Sequence, residues 1–206
     1  MKIGPKYKIA RRLGAAVFDK TQTAKFAASV ARRGGGKDAG KKKPRPKSEF
    51  GTQLIEKQKA RFTYGVMEKQ FRNYVRKAIA QTKLNPDEAL FRALETRLDN
   101  VVYRLGLANS RLLARQIVSH GHILVNGTRV TIPSYTISEK DAITIRDGSQ
   151  KKKLFEQAAE KMKNAPAVNW IKSESEKKRA EIVGMPKFAP GETQFDIGAI
   201  LEFYKR

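Results

Sequence analysis

The chain has 206 residues, no cysteine, and 43 Lys and Arg against 20 Asp and Glu, which leaves a formal net charge of +23. The lack of cysteine excludes disulfides and thiolate metal centres and fits a reducing compartment, and no apolar run approaches the ~18 residues of a membrane-spanning helix. A charge this large raises self-repulsion in the compact state and favours a polyanionic partner, nucleic acid before an anionic membrane surface.

The excess lies at the front. Residues 1–86 hold 23 basic and 5 acidic residues, residues 87–150 hold 8 and 7, and residues 151–206 hold 12 and 8, so the first segment is the expected polyanion site. The length allows one or two domains. The first residues are basic and lack the apolar stretch of a secretion signal, and no cleaved leader is expected.

Residues 9–18 are expected to form a short helix with Ile9, Leu13, Ala16 and Val17 on one face. Lys6, Lys8, Arg11 and Arg12 surround it. Residues 20–47 are expected to form a flexible basic arm, because three consecutive glycines, Pro44, Pro46 and little apolar material cannot offset the entropy of ordering. The arm ends at Lys47 and is expected to order on phosphate rather than to be a plain solvated linker. Residues 35–41 satisfy the G-x-x-x-x-G-K pattern, but Lys42 stands where Ser or Thr would hold magnesium and no buried strand precedes it, so nucleotide hydrolysis is not expected.

Ser48 and Glu49 open a helix whose inner side is Leu54, Ile55, Gln58 and Phe62. After a break at Gly65, Val66, Met67, Phe71, Tyr74, Val75 and Ile79 recur near helical spacing. The opposite faces carry Lys57, Lys59, Arg61, Arg72, Arg76 and Lys77. With few acids nearby, these are read as phosphate contacts rather than as solubilising charges.

Pro86 and Asp87 start a helix striped by Leu90, Leu94, Leu98, Val101 and Leu105 and stopped at Gly106. Asn109 or Ser110 caps a second short helix, with Leu112, Leu113, Ile117 and Val118 inward and Gly121 at its end. Residues 122–130 read as a hairpin about Asn126-Gly127, and residues 141–146 as a third strand with Ile143 and Ile145 inward. Residues 151–164 look helical, residues 168–171 and 177–183 look like strands, and residues 196–204 look like an amphipathic terminal helix that must dock. Trp170 is read as the anchor of a small cluster.

Four arginines recur on the helix pair. Arg97 and Arg104 are seven apart and Arg111 and Arg115 four apart, so each pair shares a face, with the guanidiniums outward. His120 and His122 flank Gly121 without a third ligand. His120 is read as a polar contact at the helix end and no metal is expected. No Ser-His-Asp set or carboxylate pair is legible, so no enzymatic activity and no cofactor are expected.

Residues 97–146 resemble the small RNA-binding module first recognised in ribosomal protein S4. The matching residues are Arg97-Leu98-Asp99, Arg104-Leu105-Gly106, Ser110-Arg111, Ala114-Arg115, Val118, Gly121, Val125-Asn126-Gly127, Pro133-Ser134 and Asp141-Ala142-Ile143. Gly4-Pro5-Lys6, residues 56–59, Tyr64-Gly65-Val66, residues 68–74 and Leu94-Glu95 extend the resemblance to the bacterial family of small-subunit S4 proteins. The resemblance covers nearly the whole chain and is weakest over residues 21–47 and 151–191.

The resemblance implies an α+β fold in which a helical domain carries an inserted RNA-binding module, with a C-terminal helix returning to the helical domain. The implied divisions are a basic N-terminal region at residues 1–94, the module at 95–150, the rest of the α+β domain at 151–185 and the returning segment at 186–206. It also implies a cytoplasmic constituent of the small ribosomal subunit. Such a protein binds 16S ribosomal RNA early at a multi-helix junction, touches ribosomal protein S5 through its C-terminal region, lies near messenger RNA as it enters, influences decoding accuracy, and in some bacteria represses its own messenger. Some relatives hold zinc on cysteines in the first forty residues; this chain has none, so no zinc is expected.

Arginine suits this task because it forks onto phosphate and stacks on bases. Since A-form grooves hide base edges, shape and backbone are expected to be read more than sequence. The expected RNA-binding set is Lys6, Lys8, Arg11, Arg12, Lys47, Lys57, Lys59, Arg61, Arg72, Arg76, Arg97, Arg104, Arg111, Arg115 and His120. Two rivals share the module. Arg97-Leu98-Asp99 resembles the triplet at the catalytic aspartate of pseudouridine synthases, but here Asp99 is read as a structural or arginine-orienting carboxylate. Free-standing RNA chaperones and ribosome-rescue factors are usually shorter and lack the N-terminal blocks.

Overall fold

The structure is a computed structural model that describes residues 3–34, 48–189, 191 and 193–205. The chain forms two compact units, one of residues 1–80 with 189–206 and the other of residues 81–188.

The first unit is helical. Helix α1 spans Lys6–Leu13 and is closed by Gly14, left-handed at φ 68°. The helix expected over 9–18 therefore starts earlier and stops earlier. Val17 and Phe18 are buried beyond its end, with Ala10, Leu13 and Phe26. Helix α2, Ala24–Gly34, occupies a stretch expected to be flexible. Averaged composition hides its apolar anchor: Phe26 is buried, and its ring lies 5.8 Å from that of Tyr7. Residues 35–47, with the G-x-x-x-x-G-K pattern and Lys47, lie outside the described residues.

Helix α3, Glu49–Tyr64, starts where the Ser48 hydroxyl accepts from the Gly51 amide at 3.2 Å. It ends at Gly65, left-handed at φ 62°. Helix α4 covers Glu68–Ala80 and buries Phe71, Val75 and Ala78.

The second unit begins with α5, Pro86–Glu95, capped by the Asn85 side chain on the Asp87 amide. By compactness α5 groups with this unit, where Phe91 meets Phe188 at 5.5 Å. The single helix expected over 86–105 is two. Chain direction changes at Thr96 and Arg97, and α6 runs Leu98–Arg104. Arg97 is extended at φ −67°, ψ 136° and bridges to Thr136. The Leu98 and Asp99 amides donate to the carbonyls of Tyr135 and Pro133 at 2.9 and 3.1 Å, and the Ile137 amide donates to Thr96 O at 2.9 Å. A loop distant in sequence thus satisfies amides that a helix start leaves orphaned, and that stabilises the break.

Helix α7, Arg111–Ser119, is capped by the Ser110 hydroxyl on the Leu113 amide. Strands β1 (Ile123–Val125) and β2 (Thr128–Arg129) enclose Asn126 and Gly127, both at positive φ (51° and 77°), as a type I′ turn requires. Strand β3 spans Ala142–Ile145 and is followed by the short α8, Asp147–Gln150. The helix expected over 151–164 is a one-turn 3-10 segment at Lys153–Phe155 and then α9, Ala158–Asn164. Phe155, the last residue of the 3-10 segment, is fully buried and takes the chain inward. The strand expected at 168–171 begins only at its last residue: β4 is Ile171–Glu174, paired with β5, Arg179–Ile182.

These strands make one antiparallel sheet in the order β2-β1-β3-β5-β4. Leu98, Val101, Ile117, Val118, Ile123, Ile143, Ile145 and Phe155 share its core. Trp170 joins that same core instead of anchoring a separate cluster. Gly106, at φ 73°, has Lys161 O only 2.6 Å from where a Cβ would stand. Gly106→Ala is therefore expected to destabilise this unit by about 1–2 kcal/mol or more, through left-handed strain plus the clash with α9 backbone. Urea unfolding followed by Trp170 fluorescence measures it.

The chain then returns to the first unit. Helix α10, Ile197–Lys205, buries Ile197, Ile200 and Leu201, and Phe195 meets Tyr64 edge-on at 6.1 Å.

Candidate nucleic-acid interface

The arginines of the second unit are built into a buried polar frame. Arg97 was expected to point outward; its side chain is 1% exposed. It donates to Asp99 through Nε at 3.0 Å and Nη2 at 2.6 Å. Arg97 turns inward because the break before α6 removes it from the helical face on which a continuous spiral would have placed it. Asp99 also lies 3.8 Å from Arg115 Nε. This carboxylate neutralises a buried guanidinium and orients a half-exposed one, in keeping with its reading as an arginine-orienting group.

A second buried acid does the same for the next pair. Glu95 Oε1 and Oε2 accept from Arg104 Nη2 and Nε at 2.8 and 2.9 Å. Asn100 Nδ2 donates to Glu95 Oε2 at 2.9 Å, and Asn100 Oδ1 accepts from Arg111 Nε at 2.8 Å. The Arg111 guanidinium also lies 4.4 Å from the centroid of Tyr103, a cation–π contact. Arg104, Arg111 and Arg115 thus form an array held by Glu95, Asn100, Asp99 and Tyr103, with their outer surfaces half-exposed. Sequence reasoning missed the roles of Glu95 and Asn100. The step from Glu95 to Arg104 crosses the break at Thr96 and that from Asn100 to Arg111 crosses the turn between α6 and α7, so one helical wheel places neither pair. The one available signal was an acid and an amide beside an apolar stripe.

In the first unit the expected basic face divides. Lys57 is buried, bonded to Glu68 Oε1 at 2.8 Å and 4.7 Å from the Phe203 ring. Arg61 reaches Glu68 Oε2 at 3.3 Å and lies over Phe62. Lys59 pairs with Glu56 at 2.7 Å. These three were expected on an outward face; Glu56, Glu68 and the aromatic end of α10 turn them inward. Burial opposes ionisation of Glu68, but hydrogen bonds from Lys57 and Tyr204 and the charges of Lys57 and Arg61 outweigh it, so its carboxyl lies below its ordinary 4.5. The Tyr204 hydroxyl donates to the same carboxylate at 2.7 Å, which ties α10 to α4. Lys8, Arg11, Arg12, Arg72 and Arg76 are exposed as expected, and Lys6 is half-buried.

His120 is exposed at the end of α7, and His122 is half-buried, 2.9 Å from Ser149 Oγ through Nδ1. Burial, then the charges of Lys152, His120, Arg146 and Arg129, hold the His122 imidazole below its ordinary pKa of 6.5. The unfolded chain therefore takes up this proton first on acidification. The stabilisation is complete above about pH 6.5 and is lost as pH falls through the lower folded value. Denaturant midpoints from about pH 7.5 down to 5 should decline, and His122→Gln should flatten that decline.

A helix pair with arginines braced by buried acceptors, running into a hairpin and a small antiparallel sheet, defines a class of RNA-binding module. The family model described as S4 domain matches residues 96–143, and that described as Ribosomal protein S4/S9 N-terminal domain matches residues 1–95. The small ribosomal subunit protein uS4 of Mycobacterium avium (strain 104) is 44% identical over 182 residues, covering 84% of this chain and 90% of the relative. That of Mycobacterium marinum (strain ATCC BAA-535 / M) is 46% identical over 159 residues, 77% of this chain and 79% of the relative. The chain belongs to the bacterial-type uS4 family, a family of structural, non-enzymatic proteins.

Proposed function

We propose that this protein is a structural constituent of the cytoplasmic small ribosomal subunit, where it binds 16S ribosomal RNA. The observation that carries this reading is the identity to uS4 proteins along most of the chain. The braced array on α6 and α7 adds a physical reason: guanidiniums fixed before binding lose less entropy when they engage phosphate.

In this reading the protein binds a multi-helix junction early and nucleates assembly there. Arg104, Arg111, Arg115 and His120 select the folded junction, while Lys6, Lys8, Arg11, Arg12, Arg72 and Arg76 supply sequence-independent affinity. Contact with ribosomal protein S5 through the C-terminal region, proximity to incoming messenger RNA, an influence on accuracy and repression of its own messenger belong to the same proposal. Arg97 has a different part: it positions the array from inside.

The test is binding to a folded 16S ribosomal RNA junction against a random homopolymer at moderate ionic strength. A strong preference for the junction, with affinity falling steeply in salt, is expected. Equal affinity for both would overturn the reading. Retention on small subunits through a high-salt wash separates a constituent from a dissociable factor.

A further inference from the structure

At the C-terminal end of α7 a cleft of about 120 Å³ is lined by Leu113, Gln116, Ile117, His120, His122 and Leu154. Its apolar lining is three aliphatic side chains. Its polar lining is two imidazoles and one amide. The two rings stand 6.0 Å apart at 57°, and His122 is fixed from behind by Ser149 and by the buried Phe155, edge-on at 5.7 Å.

Cations gather around this cleft. Arg129 crosses directly over Gly121, where a Cβ would overlap its guanidinium, and Arg129 Nη2 donates to His120 O at 3.3 Å. Arg146 and Lys152 are exposed and close enough to bear on the charge of His122.

The lining selects among ligand classes. Among the described residues no group of three His, Cys, Asp or Glu exists to hold a metal ion, and the surrounding cations would repel one. A bare phosphate would gain nothing from Leu113, Ile117 and Leu154 and would lose hydration against them. A planar heterocycle satisfies every wall: it covers the aliphatic floor, stacks on imidazole and presents a polar edge to Gln116.

We infer that this cleft receives one unstacked nucleobase of the bound RNA, with the adjoining phosphates on Arg129, Arg146 and Lys152. This rests on the RNA-binding reading above and assigns it a base-specific subsite on the sheet side of α7, distinct from the arginine array.

Chemical footprinting of the full chain on a 16S ribosomal RNA transcript tests it, with base-directed reagents for the base edges and hydroxyl radicals for the backbone. Wild type should shield one base that becomes reactive with His120→Ala and is shielded again with His120→Phe, which restores a stacking ring without the imidazole nitrogens. The backbone footprint should persist in all three, and His120→Ala should bind about tenfold more weakly, the scale of one lost stack. If His120→Ala leaves every base unchanged, or if His120→Phe behaves like His120→Ala, the subsite is wrong although RNA binding stands. If wild type shields nothing, the RNA-binding reading falls and the subsite with it.

Discussion

Asp99→Ala is expected to destabilise the second unit by about 3–5 kcal/mol, the cost of removing one member of a buried ion pair. Arg97 is among the largest fully buried side chains in the structure, and it donates twice to this carboxylate. Removing Asp99 takes both of these hydrogen bonds and the paired carboxylate from a guanidinium that is itself buried, and also withdraws the carboxylate near Arg115. Because the Thr96 to Arg97 break is held by backbone pairing to residues 133–137, the loss should spread to that loop. Urea or thermal unfolding measures it. The double change Arg97→Leu with Asp99→Leu should recover part of the stability lost in Asp99→Ala, because the buried guanidinium is removed together with its carboxylate. A single Asp99→Ala as stable as wild type would mean that the Arg97–Asp99 pair contributes nothing to holding this break.

Arg111→Glu combined with Arg115→Glu is the second large effect. Affinity for a folded 16S ribosomal RNA junction is expected to fall by about 2–5 kcal/mol, because two braced cations become anions facing phosphate. The salt dependence should flatten by about two units of log–log slope as two phosphate contacts disappear. The same variant disturbs the frame, since Arg111 bonds Asn100 and lies over Tyr103 while Arg115 lies near Asp99. A thermal melt must accompany the titration. Arg111→Lys with Arg115→Lys separates the two roles: charge is kept, the forked geometry is lost, and a smaller drop in affinity with an unchanged salt slope is expected. Unchanged affinity in the glutamate variant would remove the helix pair as a contact face.

The frame also explains how the charge of the chain is used. A cation paired with a carboxylate presents a weaker net field than a free one, yet Arg104 is paired with Glu95 in two places. What pairing confers is direction. A guanidinium held on one edge keeps its other edge aimed, and less side-chain entropy remains to be lost when phosphate arrives. In the first unit the inward pairs serve another end: Lys57, Arg61 and Tyr204 converge on Glu68 and join the returning helix to α4. Residues of the same type, a few positions apart, thus divide between docking the C-terminus and facing solvent.

Much was legible in the sequence, for identifiable reasons. Local signals that act through backbone chemistry came through: Ser48 as a helix start, Asn109 or Ser110 as the next cap (Ser110 in the structure), Asn126-Gly127 as a turn, Gly65 and Gly121 as stops, and the alternation of Ile143 and Ile145 in β3. These depend on a few neighbouring residues, and nothing distant overrides them. The outward arginines of α7 were legible because its apolar face is continuous. The errors lie where a distant segment intervenes. The helix written across residues 86–105 has an unbroken leucine stripe and no Pro or Gly within it, so nothing local marks the break. The carbonyls of Pro133 and Tyr135, more than thirty positions away, help to make it favourable by accepting from the Asp99 and Leu98 amides.

By itself, then, the order of residues determined the polyanion partner, the alternation of helices with a small sheet, the turn and cap positions, and membership in an RNA-binding family, since charge, periodicity and backbone preference are properties of short stretches. Tertiary structure alone decided which cations are displayed and which are consumed inside. Arg97 and Lys57 are buried because folding brings Asp99 and Glu68 to meet them, and those carboxylates reach their positions through a helix break and a turn whose packing no local pattern encodes.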